Sequence, residues 1–123
     1  MHRSAVISSL HRGQPLPAKI ESQDPQRLAF VGVYPLDLSQ PPTRQFLQGR
    51  GLSNLPATGR AYHIRSFEVD RKLVEADLWI GETELTDRKS FFAFDDASLE
   101  QQLEQVGVPL EGLEPHFKSD YPI

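Results

Sequence analysis

Proline placement constrains this chain more than any other feature. Of its ten prolines, seven lie at positions 15, 17, 25, 35, 41, 42 and 56, three at 109, 115 and 122, and none between Ala57 and Val108. Proline fixes φ and removes a backbone donor, so continuous strands and a full helix belong in the proline-free block. The length of 123 residues suits one domain spanning 1–123. Within it the pattern predicts a loop-rich part over 1–56, a sheet-and-helix framework over 57–108 and a coil over 109–123. A hydrophobic share of 38% is that of a chain able to build a core.

Periodicity supplies the elements. Leu28 to Tyr34 is apolar on both faces, as in a buried central strand that Pro35 ends. Pro41 to Gln48 reads as a short helix, with proline in its first turn and Gly49 as its left-handed stop. Ala61–Val69 and Leu73–Ile80 read as two strands joined by a turn at 70–72. In the first of these the apolar phase changes sides between Ile64 and Phe67, which predicts a β-bulge near Arg65 and Ser66. A turn at 86–88 precedes a strand at Phe91–Phe94. Asp95 or Asp96 then caps a helix whose Leu99, Leu103 and Val106 form one stripe, with Gly107 as its stop. The connections are too short for parallel crossovers. The predicted fold is α+β: a curved antiparallel sheet of four to five strands packed on one main C-terminal helix, with short helices in the N-terminal half.

Several chemistries are excluded by residue type. Zero cysteine removes disulfides, thiolate zinc sites, iron–sulfur clusters and cysteine nucleophiles. His2, His11, His63 and His116 show no metal-ligand spacing, and no serine sits in a GxSxG elbow. No cofactor is implied, and a binding role is expected ahead of a catalytic one. The longest apolar run, Leu28 to Tyr34, is far short of the ~20 residues that span a membrane. Ser4 to Leu10 is too short and serine-rich for a signal peptide and reads as a short amphipathic helix. A cytoplasmic location is the simplest expectation.

Charge is distributed unevenly. Residues 1–60 carry a net +4 and residues 61–123 a net −8, giving −4 overall. Asp96, Glu100 and Glu104 repeat every four residues along the predicted helix, and Glu111 and Glu114 follow. Glu82, Glu84 and Asp87 extend the acidic set, with Phe117, Tyr121 and Trp79 as candidate aromatic anchors. Together these form a candidate docking surface for a basic partner protein and disfavour nucleic acid. Size, acidity and the lack of catalytic signatures resemble bacterial immunity proteins, small domains that block a cognate toxin; the resemblance implies an inhibitor of such a toxin. A sheet edge is a candidate homodimer contact. The alternative is a small enzyme or a nucleotide- or phosphate-binding domain using the glycine- and arginine-containing region from Arg44 to Arg71, with Arg44, Arg50, Arg60, His63 and Arg65 as anion ligands.

Overall fold

The computed structural model of the chain describes residues 2–76, 78, 80–115 and 121. Four strands, β1 (Leu16–Ile20), β2 (Arg27–Asp37), β3 (Arg60–Asp70) and β4 (Thr86–Ala93), form an antiparallel sheet in chain order. The helices are α1 (Arg3–His11), α2 (Pro41–Gly49), α3 (Arg71–Glu75) and α4 (Asp96–Gln105), with 3-10 turns at Glu82–Glu84 and Leu110–Gly112.

Two faces of this sheet are cored, and by different parts of the chain. On one face Val31, Val33, Tyr62, Ile64 and Ala93 pack against Val6 and Leu10 of α1, Leu99 and Leu103 of α4, and Leu110 and Leu113. On the other, Phe30, Phe67 and Val69 meet Ile80, Leu85 and Tyr121 at one end. Leu38, Leu47 and Ala61 form a third cluster around α2.

The α+β class and the antiparallel sheet are found, but a curved sheet packed on one main C-terminal helix is not. The reason is dimensional. A helix of ten residues such as α4 is about 15 Å long, whereas an eleven-residue strand spans roughly 36 Å. One such helix cannot cover the sheet, so α1 and the 110–113 turn share its face and other segments cover the reverse side.

The same two-sided burial explains the phase change in β3. Tyr62 and Ile64 point to the α1/α4 face, while Phe67 and Val69 point to the other, and both pairs are buried. The β2–β3 register is unbroken from Arg27↔Asp70 to Asp37↔Arg60, so β3 carries no bulge against β2. The irregularity lies on the β4 side: Ser66 pairs with Lys89 and Glu68 with Thr86, leaving Asp87 and Arg88 opposite Phe67. Asp87 takes φ +48 there, which places the predicted turn inside the ladder.

Other expectations also change. Of the predicted strand Leu73–Ile80, the part from Leu73 to Glu75 is helical. Asp70 accepts a hydrogen bond from the Lys72 amide (2.9 Å) and starts α3 instead, and β4 takes the place beside β3. Pro35 does not end β2: β1 stops opposite Val33, so from Tyr34 onward that side of β2 is an edge, where proline is tolerated. β1, with Pro17 inside it, is itself an edge strand, and half of the sheet thus comes from the proline-rich part. α2 runs through Gly49, and Gly51 supplies the left-handed residue at φ +81. α4 starts and stops as its sequence predicts. Asp95 accepts from the Ser98 amide at 2.6 Å, and Gly107 takes φ +86.

Gly32 lies where β2 meets Tyr121. A Cβ at this position would stand 2.9 Å from Tyr121 Cζ and 3.0 Å from Tyr34 Cε2. Both tyrosines would have to move, and their hydroxyls, 2.5 Å apart, would separate. Gly32→Ala is expected to destabilise the protein by about 1–3 kcal/mol in urea denaturation. In a Tyr121→Ala background the same change should cost much less, because the ring it strikes is gone.

Candidate anion-binding site

The half-open part of the sheet lies on the face opposite α4, between the Phe67/Tyr121 cluster and α2. Here strand alternation sets His63 and Arg65 of β3 beside Phe92 and Ser90 of β4, as His63↔Phe92 and Arg65↔Ser90 pairs. His63 stacks on Phe92, ring centroids 4.9 Å apart and planes 10° apart. Its Nε2 is 3.2 Å from Ser90 Oγ. Phe46 of α2 closes the aromatic group, 5.4 Å from His63 and 6.0 Å from Phe92. The guanidinium of Arg50, just past α2, lies 5.2 Å above the Phe46 ring.

These residues border a cleft of about 400 Å³ lined by Arg50, His63, Arg65, Glu82, Arg88, Lys89 and Ser90. Beyond the β4 irregularity, Ser90 lies on the cleft side with Arg65 and Arg88 reaches the same cleft, whereas Lys89 pairs with Ser66, borders both cavities and turns its ammonium toward Asp87. Glu82 is the one carboxylate among the described residues of the lining. Its two oxygens lie 3.0 and 2.9 Å from Arg65 Nη2, and its Oε2 is 3.7 Å from Arg88 Nη1. The carboxylate therefore occupies the position in which an incoming anion would meet both guanidiniums.

Of the five arginine-region residues singled out from sequence, the fold gathers three: Arg50, His63 and Arg65. Arg44 is a strap, its guanidinium donating to the carbonyls of Leu38 (3.1 Å), Pro56 (2.6 Å) and Leu55 (3.4 Å). Arg60 points to the α1 side of the sheet and donates to the Leu10 carbonyl at 2.7 Å, closing the end of α1. Sequence reasoning missed Arg88, Lys89, Ser90, Phe46 and Phe92 as site residues. The only signal for the first three was a basic pair beside a strand, which acquires meaning only once β4 is paired with β3.

The acidic set does not form one surface. Glu82 belongs to the cleft, and Glu84 accepts from the Gly81 amide at 2.8 Å. Asp87 faces Lys89 at 3.9 Å and lines a different, larger cavity of about 520 Å³ with Glu21, Asp24 and Glu68. On the opposite side of the sheet Asp96 accepts from the Tyr62 hydroxyl at 2.6 Å and lies 3.3 Å from His11 Nε2, and Glu100 pairs with Arg3. Glu104 and Glu111 are exposed and Glu114 is half-buried. Tyr121 is buried against Phe30 and Phe67, so it is a core residue and not an exposed anchor. Phe117 and Trp79 lie outside the described residues.

Among the described residues no group of three His, Asp or Glu side chains is arranged to hold a metal ion, and no helix is long and apolar enough to cross a membrane. No family model, no curated protein and no solved structure matches this chain. The geometry of the cleft therefore carries the functional argument.

Burial, with the guanidiniums of Arg50 and Arg65 close by, pushes the His63 imidazole down from the ordinary 6.5 to about 4. His63 is therefore neutral in the folded protein at pH 7. Below pH 6.5 the unfolded chain binds a proton that the folded chain refuses, so stability contributed by this residue is complete above 6.5 and is lost as pH falls toward 4. His63→Gln should flatten the slope of unfolding free energy against pH between 4 and 6.5, measured by urea denaturation at several pH values. An unchanged slope would assign the acid sensitivity to other groups.

Proposed function

We propose that this protein is a binding module for a small anionic ligand, seated in the cleft between α2 and the β3–β4 pair. The observation that carries the reading is the lining: among the described residues Arg50, Arg65 and Arg88 border one cavity with the carboxylate of Glu82, in a chain whose net charge is −4. Three guanidiniums brought together raise one another's cost unless an anion shares the space, and Glu82 meets that need only in part. The cavity falls within the size range of small-ligand sites. Neutral His63 and Ser90 add polar contacts without further charge. The absence of cysteine from the chain fits action in the reducing cytoplasm.

A second reading keeps the acidic side of the molecule as a docking surface for a basic protein, in the manner of an immunity-type inhibitor. Glu104 favours it, being exposed on α4 and without an ion-pair partner among the described residues. The pairing of Glu100 with Arg3 and of Glu82 with Arg65 and Arg88 leaves this reading less free charge than the sequence offers. Rim charges of this kind act mainly on association rate.

The two readings separate in one titration series. Inorganic phosphate should bind the full chain measurably by calorimetry at low salt and weaken as ionic strength rises. Arg50→Gln and Arg88→Gln should each weaken it about three- to tenfold, the loss expected for one charge-assisted contact at a partly solvated site. Glu82→Gln should tighten it, because the internal competitor is removed. No phosphate binding, or binding indifferent to all three changes, would leave the acidic docking surface as the better account.

A further inference from the structure

Phe46 is a large aromatic side chain left 36% exposed, at the rim of the cationic cleft. Next to that cleft lies a second hollow of about 320 Å³, lined by Tyr34, Leu36, Phe46, His63 and Arg65. Its walls are aromatic and aliphatic, and it shares His63 and Arg65 with the first. Arg50 belongs to both environments in another way: it lines the cationic half while its guanidinium lies over the Phe46 ring. The site is thus bipartite, with one half selecting negative charge and the adjoining half offering ring faces to something apolar.

We infer that the bipartite cleft binds a mononucleotide-type ligand, with its phosphate among Arg50, Arg65 and Arg88 and its base against Phe46 and Tyr34. The inference rests on the anion-binding reading and specifies the ligand. Three guanidiniums suit a multiply charged phosphate better than a single carboxylate. Ring walls suit a planar base better than an alkyl chain, because every base presents a π-face for stacking. A free nucleotide fits better than a nucleic-acid strand. The two halves are each of small-molecule size, and a long polyanion would also meet the −8 charge carried by residues 61–123.

The test uses the full chain and four probes: adenosine monophosphate, inorganic phosphate, adenosine, and a ten-nucleotide single strand. Adenosine monophosphate should bind at least tenfold more tightly than phosphate or adenosine alone. Phe46→Ala should remove that advantage, weakening adenosine monophosphate far more than phosphate, whereas Arg88→Gln should weaken both phosphate-bearing ligands. As a readout independent of these variants, the His63 and Phe92 ring proton resonances should shift on adding adenosine monophosphate, with Phe46 ring protons shifting only when the base is present. If phosphate and adenosine monophosphate bind equally, and Phe46→Ala changes neither, the nucleotide inference falls while anion binding stands. If the ten-nucleotide strand binds far more tightly than the mononucleotide, the ligand is a strand and the inference is overturned. If no probe binds, both readings fall.

Discussion

The antiparallel ladder between β2 and β3 holds the structure in register, with eleven consecutive residue pairs from Arg27↔Asp70 to Asp37↔Arg60. Side chains alternate along it, so this one pairing decides which residues each face receives. Val31 and Val33 with Ile64 and Tyr62 build the α1/α4 side, and Phe30 with Phe67 and Val69 builds the other. A slip of one residue would exchange the two sets and bury His63 and Arg65 under α4. The ladder therefore fixes the core and the site together.

A sheet cored on both faces is not covered evenly along its length. In this protein the reverse face is closed at one end by Ile80, Leu85 and Tyr121 and at the other by α2 and its loop, held by Arg44. Between them the floor is half-covered. There His63 lies flat on Phe92, and the start of β4 delivers Arg88 and Ser90 to the same rim. Glu82, arriving from the segment before β4, balances part of this charge. The cleft is a consequence of incomplete coverage, and its chemistry follows from which residues the ladder left uncovered.

The arginines divide between fastening the backbone and lining the cleft. Arg44 and Arg60 spend their donors on backbone carbonyls, one fastening the α2 loop and one ending α1. Arg50, Arg65 and Arg88 meet at the cleft. Sequence proximity does not separate the groups, since Arg60 and Arg65 share a strand. An odd offset along that strand does, because it puts their side chains on opposite faces.

Local chemistry settled what depends on a few neighbouring residues. The Asp95 cap, the Leu99/Leu103 stripe and Gly107 specify α4 from start to stop, and Pro41–Pro42 set the first turn of α2. The buried run Leu28–Tyr34 announces a central strand. Antiparallel pairing and the α+β class follow from short connections. Partner choice was decided elsewhere. Leu73–Ile80 has a strand's alternation, but β4 occupies the only open edge of β3, and the Asp70 cap turns the intervening chain into α3. Pro35 looks like a terminator until the short reach of β1 leaves an edge for it. The cleft is the extreme case: its residues come from positions 46–50, 63–65, 82 and 88–92, and only long-range pairing makes them neighbours. Caps and periodicity act within a few residues of chain, whereas a binding site depends on which distant strands share an edge, and that is settled by burial of the whole sheet.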